Sequence, residues 1–353
     1  MKFSSMLSTA GEWLRGEGPH HQVVISSRVR LARNLRHRPF PGWAKKADRS
    51  SILELIRSHV EALPEMQESF SESLQDLSAL DRQVLVERHL ISREHAAKGT
   101  GSAVVVNRRQ TLSIMINEED HLRMQSIRSG LQLKQAFKLV DKIDSALESK
   151  LDFAFDPRLG YLTACPTNVG TGMRASAMLH LPGLVLSELI NQAMGNLFQI
   201  SNQTTLGEKE EEIINRLSKV IETIIEKEHD ARQILLQKKP DTLCDQIGRA
   251  YGVLTYAHAM PSKEALNLLS ILKLGMDLGV FPENQRLQID ELFIDTQPAH
   301  LQKSSQQKLN AEERDHLRAQ IIRERLKLFP KPDISKMARE PDNSSTTAPS
   351  NDE

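Results

Sequence analysis

A mixed α and β fold ending in a mostly helical region is what this sequence predicts, on three observations. Residues 23–31 alternate apolar and polar side chains, as a half-buried strand does. Residues 103–106 and 112–116 are apolar runs on either side of Asn107-Arg108-Arg109-Gln110, a hairpin signal. From Pro240 onward, residues 242–257, 262–274 and 311–328 repeat apolar positions at helical spacing.

The remaining elements follow in chain order. Residues 6–14 are amphipathic and stop at Gly16-Glu17-Gly18-Pro19, so residues 1–20 form an N-terminal helical segment. Residues 49–94 are helical in character, with Ile52, Leu55, Ile56 and Val60 at helical spacing. Residues 131–147 repeat apolar side chains every three or four positions, another helix. Residues 160–164 and 174–181 read as strands around a glycine-rich turn. Residues 208–227 form a long helix opened by acids, as a helix dipole favours. Residues 330–353, rich in Pro, Ser, Thr, Asp and Asn, are expected to be a disordered tail. No internal repeat is present in the sequence.

Composition bounds the function. Lysine plus arginine is 46 and aspartate plus glutamate is 46, so a whole-protein attraction for nucleic acid or membrane has no support. The chain has 353 residues, enough for two or three domains with a large core. Two cysteines, Cys165 and Cys244, make neither a disulfide framework nor a metal spacing. The first eleven residues lack a long apolar core, and no apolar run approaches transmembrane length. A cytoplasmic protein is expected.

Chemistry concentrates in three places. Asn117-Glu118-Glu119-Asp120-His121-Leu122-Arg123 sets three acids, a histidine and an arginine at the end of the buried run 112–116. Such a cluster is costly unless it holds a cation, takes a proton or pairs with arginines. Arg28 and Arg30 lie two apart on the predicted strand and so share a face, with Val29 and Leu31 turned to the core. Paired guanidiniums suit phosphate, although alone a solvated basic face with Arg33, Arg36 and Arg38 is the commoner outcome. Third is Cys165-Pro166-Thr167-Asn168-Val169-Gly170-Thr171-Gly172-Met173-Arg174-Ala175-Ser176, whose glycines permit a sharp turn close to a ligand. A guanidinium has a pKa above ~12, so phosphorylating one needs a carboxylate to orient it and take its proton. Glu118, Glu119 and Asp120 offer that. There is no GxxxxGK(S/T) sequence and no HRD with DFG, which excludes the two common kinase architectures.

As a set, Ser26-Ser27-Arg28-Val29-Arg30-Leu31-Ala32-Arg33-Asn34, Asn117-Glu118-Glu119-Asp120-His121 and the 165–172 loop resemble the phosphagen (ATP:guanidino) kinase superfamily, over about residues 22–328. The bacterial protein arginine kinase branch is the nearer likeness. It is suggested by Val86-Glu87-Arg88-His89-Leu90-Ile91-Ser92, Ile200-Ser201-Asn202-Gln203, the helical C-terminal region, and Arg314-Asp315-His316-Leu317-Arg318-Ala319. The last fits an RDxxRA pattern that in that branch forms an allosteric phosphoarginine pocket. The resemblance implies an α+β fold: a small helical N-terminal subdomain, an antiparallel sheet flanked by helices, and a C-terminal helical domain. It places the catalytic domain at 21–235, with its helical subdomain at about 49–94. It places a dimerisation and phosphoarginine-binding domain at 240–329.

The resemblance also implies roles. Ser26, Ser27, Arg28, Val29, Arg30, His89, Arg123, Arg174, Ala175, Ser176, Ala177 and Met178 would line the ATP site. Glu119 would activate the acceptor guanidinium, supported by Glu118, with Cys165 beside it tuning the electrostatics. Arg314, Asp315, His316, Leu317, Arg318 and Ala319 would form the phosphoarginine pocket. Mg2+ would bridge the nucleotide phosphates. A homodimer, a zinc-binding activator protein, a heat-shock repressor and a Clp-type unfoldase would be its partners in the stress response.

One departure stands out. After His180-Leu181-Pro182 the family has a long helix, a further strand and a mobile R-G-x-Y-G-E loop, which bring another phosphate-binding arginine and a second catalytic glutamate. Here residues 183–199 contain no arginine and only one acid, Glu188. The loop is deleted, which is expected to weaken the sheet and to cost on the order of a thousandfold in rate. Two readings follow: an ATP-dependent protein arginine kinase, or a catalytically impaired relative that binds phosphoarginine or partner proteins. A kinase for free arginine or creatine fits less well, because a small metabolite needs no extra helical domain.

Overall fold

The computed structural model describes residues 1–305, 307–333 and 335. Seven antiparallel strands form its central sheet: β1 (Val24–Arg33), β2 (Phe70–Ser73), β3 (Ala103–Val106), β4 (Leu112–Ile116), β5 (Leu122–Ser129), β8 (Met173–His180) and β9 (Leu197–Ser201). Their order is β2-β3-β4-β5-β1-β8-β9. A small ribbon, β6 (Phe155–Asp156) with β7 (Gly160–Tyr161), lies apart.

Alternation decides what each face does. On one face Val29, Leu31, Ile114, Met124, Ala175 and Ala177 are buried under α5 (Leu133–Glu148) and α7 (Glu210–Lys238). These helices supply Val140, Ile143, Leu147 and Ile221, and α2 (Lys46–Glu61) adds Ile52 and Ile56. The other face is apolar only toward β2–β4, where Val104, Val106 and Met115 meet Met6 of α1 (Phe3–Leu7), Leu85 of α3 (Ala79–Glu87) and Leu90. Its centre carries charges. A second core, including Leu254, Leu272 and Ile322, belongs to the C-terminal helices α8 (Pro240–Tyr256), α9 (Ser262–Asp277), α10 (Arg286–Asp295), α11 (Pro298–Ser304) and α12 (Ala311–Leu326). Trp13, Leu14, Ile127 and Ile294 join the two halves.

Several elements depart from the sequence reading. The helical stretch 49–94 is broken by β2, whose Phe70 pairs with Val106 and extends the sheet. The strand expected at 160–164 contracts to two residues, and α7 runs on to Lys238 instead of stopping at 227. Strands β5 and β9 and helices α10 and α11 were not anticipated. Most of the 330–353 tail lies outside the described residues.

The shortened segment leaves the sheet continuous. After β8 the chain makes only α6 (Pro182–Leu186) and returns as β9, paired from Ser176↔Ser201 to His180↔Leu197. The start of α6 is held by a buried carboxylate: Gly183 N–H and Leu184 N–H donate to Glu228 at 2.8 and 2.9 Å. Glycine is required at 183, since a Cβ would stand 2.8 Å from Arg232 Cγ and 2.9 Å from Glu228 Oε1. Arg232 donates to Glu228 and to Asp277, and Arg286 donates to the same Asp277. A buried chain of alternating charge thus ties the end of the sheet to the C-terminal helices.

Candidate active site

The register of three strands assembles an arginine cluster on the charged sheet face. Arg28 and Arg30 alternate along β1. Arg174 of β8 stands opposite Arg30, and Arg123 of β5 stands opposite Ala32. All four side chains therefore share one face. Burial, then the charges of Arg123 and Arg174, lower Arg28 to about 10. Burial, then Arg28, Arg123 and Arg174, push Arg30 down to about 8, against a smaller opposing pull from Glu118. Only Arg123 has a tight carboxylate partner, donating to both Glu118 oxygens at 2.9 and 2.7 Å. Arg28 and Arg174 reach neutral acceptors, Gln199 Oε1 at 3.1 Å and Ser201 Oγ at 3.3 Å. Arg30 Nε is buried without a hydrogen-bond partner. Such an excess of positive charge is what a polyphosphate relieves.

At the end of this cluster the β4–β5 turn presents the acids, and each has a different task. Asn117 takes the left-handed conformation the turn needs (φ 56) and donates its side chain to Arg49 O and Gly101 O. Asp120 is buried and accepts from Asn34 Nδ2 and Ala164 N–H, both at 2.6 Å, which ties the turn to the residue before Cys165. His121 Nδ1 accepts from Leu35 N–H at 3.0 Å, so its Nε2–H donates to Pro39 O. Burial keeps this imidazole neutral, lowering it to about 4. Burial alone would raise Glu118; Arg123 together with hydrogen bonds from Ser92, Arg123 and Glu119 N–H holds it below the usual carboxylate range. Glu119 alone turns outward, 45% exposed and 4.0 Å from Arg123. Partial burial, then the charges of Asp120 and Glu118, raise it, against the pull of Arg123. A carboxylate raised toward neutrality beside an arginine cluster is suited to take a proton.

Two cavities open from this corner, each of about 630 Å³. The first runs between the sheet face, α3 and the C-terminal helices. Its walls include Ser26, Arg28, His89, Ser176 and Met178, together with Trp13, Phe293 and Gln297. The second is lined by Phe40, Trp43, Glu94, Lys98, Glu118, Glu119 and Arg123, among others. Glu94 borders both, and Ser92 of the first donates to Glu118 of the second at 2.5 Å. The pair of cavities therefore meets at the arginine cluster.

Not every expected site residue faces this space. Ser27, Val29, Ala175 and Ala177 point to the opposite, buried face, and Ser27 Oγ donates to Gly130 O at 2.7 Å. His89 lies against Trp13 with ring centroids 5.4 Å apart, and burial, then Arg28, lowers it to about 4. Cys165 lines neither cavity; its Sγ is 3.0 Å from Thr167 Oγ1, while its neighbours Thr163 and Ala164 line the second. In α12, Ala319 is in the core and Arg318 is 2% exposed. Arg318 donates to Thr296 O, Met260 O and Asp315 Oδ1, which makes it a strut between helices. Arg314 donates to Leu309 O, His316 is exposed and Leu317 is half-buried. The two arginines thus do not present one open grip for a phosphate. The sequence reading missed Trp13, Trp43, Glu94, Phe293 and Gln297. Of these only the tryptophans carried a signal, being the two in the chain.

The chain is similar to known proteins along most of its length. Residues 51–194 and 189–231 match the family model described as ATP:guanido phosphotransferase, C-terminal catalytic domain. The two pieces meet within the shortened segment. Residues 240–337 match the protein-arginine kinase McsB C-terminal domain. A protein-arginine kinase of Symbiobacterium thermophilum is 43% identical over 353 residues, covering 92% of this chain and 99% of its own. One of Halothermothrix orenii is 43% identical, covering 90% of this chain and 96% of its own. Among solved structures, the duplicated taurocyamine kinase from Schistosoma mansoni with bound transition state analog components aligns with a TM-score of 0.53 and 27% identity. The alignment covers 63% of this chain and 35% of that one. Lombricine kinase gives a TM-score of 0.53 at 23% identity, over 63% of this chain and 71% of its own, a likeness of fold.

Proposed function

The chain belongs to the ATP:guanido phosphotransferase family, and from that premise we propose that it transfers the γ-phosphoryl group of ATP to arginine side chains of proteins. The observation that carries this reading is the meeting of two cavities at one arginine cluster, with Glu119 poised on the far side. Arg28, which lines the first cavity, and its sheet neighbours Arg30 and Arg174 grip the nucleotide phosphates. The acceptor guanidinium enters the second. One of its nitrogens forms the new bond to phosphorus, the bond to the ADP oxygen breaks, and the displaced proton passes to Glu119. Glu118 fixes Arg123, and Asp120 fixes the turn. Magnesium accompanies ATP in this chemistry and takes its ligands largely from phosphates and water.

The named relatives favour a kinase over a binding-only protein. By resemblance alone, the reading extends to a homodimer and to an activator, repressor and unfoldase partners in a stress response.

The test uses purified protein, ATP-Mg and an arginine-rich protein substrate, with acid-labile phosphate as the readout. Glu119→Gln is expected to lower the rate about 10²- to 10⁴-fold while nucleotide binding persists. An equally active variant refutes the role of Glu119. A parent protein that binds ATP but makes no acid-labile phosphate refutes the activity.

A further inference from the structure

The second cavity has a wall that the transfer chemistry above leaves unused. Glu94 lies on the short helix α4 (Arg93–Ala96). Ser92, just before it, accepts from His95 N–H at 2.9 Å and donates to Glu118. His95 is fully buried, with Nε2 3.0 Å from Ala103 O. The backbone under Glu94 is therefore locked to the acidic corner, while its carboxylate is exposed and makes no hydrogen bond or ion pair with any described residue. It is also near enough for its charge to help raise Glu119. Against these two acids stand Arg123, already taken by Glu118, and Lys98.

Across the same cavity Trp43 is 90% exposed. Its turn is not loose: Trp43 N–H and Ala44 N–H both donate to Phe40 O, at 2.8 and 2.9 Å. Phe40 stands edge-on to His121 with centroids 6.1 Å apart, and His121 Nε2–H donates to Pro39 O. The turn is thus anchored to the catalytic hairpin, yet it holds a large indole in water. An exposed aromatic in one cavity with the unpaired carboxylate of Glu94 is the chemistry that recognises a planar cation.

We propose that Glu94 and Trp43 form the acceptor clamp, in which Glu94 binds the N–H groups of the arginine that Glu119 does not use and the indole stacks on the guanidinium plane. This rests on the phosphotransfer reading for its purpose but not for its test. During transfer the proton still goes to Glu119. Holding the plane from its edge and its face fixes which nitrogen points at phosphorus. A tryptophan on an anchored turn at the cavity suits an arginine carried on a polypeptide, since the indole can also cover the neighbouring chain.

Trp43 is its own reporter, because the other tryptophan, Trp13, is buried. Full-length protein with ADP-Mg is titrated with a peptide containing one arginine, by tryptophan emission and by calorimetry. A saturable change in emission is expected, and the same peptide with citrulline in place of arginine should give none. Glu94→Gln should weaken binding about tenfold or more, the loss of one charge-assisted contact, with Glu94→Asp retaining part of it. Trp43→Phe should lose the optical signal and bind several-fold more weakly in calorimetry. Equal affinity in Glu94→Gln, or equal binding of the citrulline peptide, overturns the clamp. Because the readout is binding, absence of phosphoarginine formation would sink the kinase reading without deciding this one.

Discussion

Four guanidiniums on one sheet face repel each other, and Arg30 is lowered furthest, by burial and then by Arg28, Arg123 and Arg174, with a buried Nε left unpaired. The charge that grips a triphosphate is therefore a charge that destabilises the unliganded protein. Arg30→Gln should leave the melting temperature of the free protein at or above that of the parent. It should also remove most of the stabilisation that ATP or pyrophosphate confers. A variant that melts lower and still gains fully from nucleotide would show that Arg30 has a structural task instead. At this scale the sequence was readable where alternation sufficed, as for Arg28 and Arg30 on β1. It could not show that Glu118 is consumed by Arg123 and Ser92 while Glu119 turns outward with only a 4.0 Å contact to Arg123, because adjacent acids differ only in which way the turn points them.

Elements whose one face serves a ligand lose the pattern that would reveal them. Strand β5 interleaves Arg123 and Gln125 with its apolar residues because that side faces charged and polar groups, so it did not read as a strand. Helices α10 and α11 were missed, yet they connect the C-terminal domain to the rest. Glu87 of α3 accepts from Ala299 N–H, His300 N–H and His300 Nδ1, and Lys303 pairs with Asp81 at 2.6 Å. The buried chain Glu228–Arg232–Asp277–Arg286 makes the second connection. Removing one member strands its partner's charge in the interior, so Glu228→Gln should cost about 3–5 kcal/mol. The check is a lowered denaturation midpoint with an unchanged slope; an unchanged midpoint would mean that the network contributes nothing to stability.

For the whole molecule, the buried histidines predict how stability responds to acid. Burial lowers His89, His95 and His121 to about 4 and His180 well below its ordinary 6.5. The folded protein then binds fewer protons than the unfolded chain between about pH 4 and pH 6.5. Stability is full above that window and falls as pH drops through it, on the order of 3 kcal/mol for each of the first three. Melting temperature measured from pH 7 to pH 4.5 should decline steeply; a flat profile would mean that these rings are charged or solvated in the fold. The sequence by itself determined the family-specific residues, the β1 and β3–β4 patterns and the missing arginine between 183 and 199, because these depend on residue type and short-range period. Only the tertiary structure decided which residues act together. Strand register put Arg123 and Arg174 beside Arg30, and the packing of α12 took Arg318 out of reach. Two cavities came to share Glu94 because distant segments closed around one sheet face, and no local period records that closure.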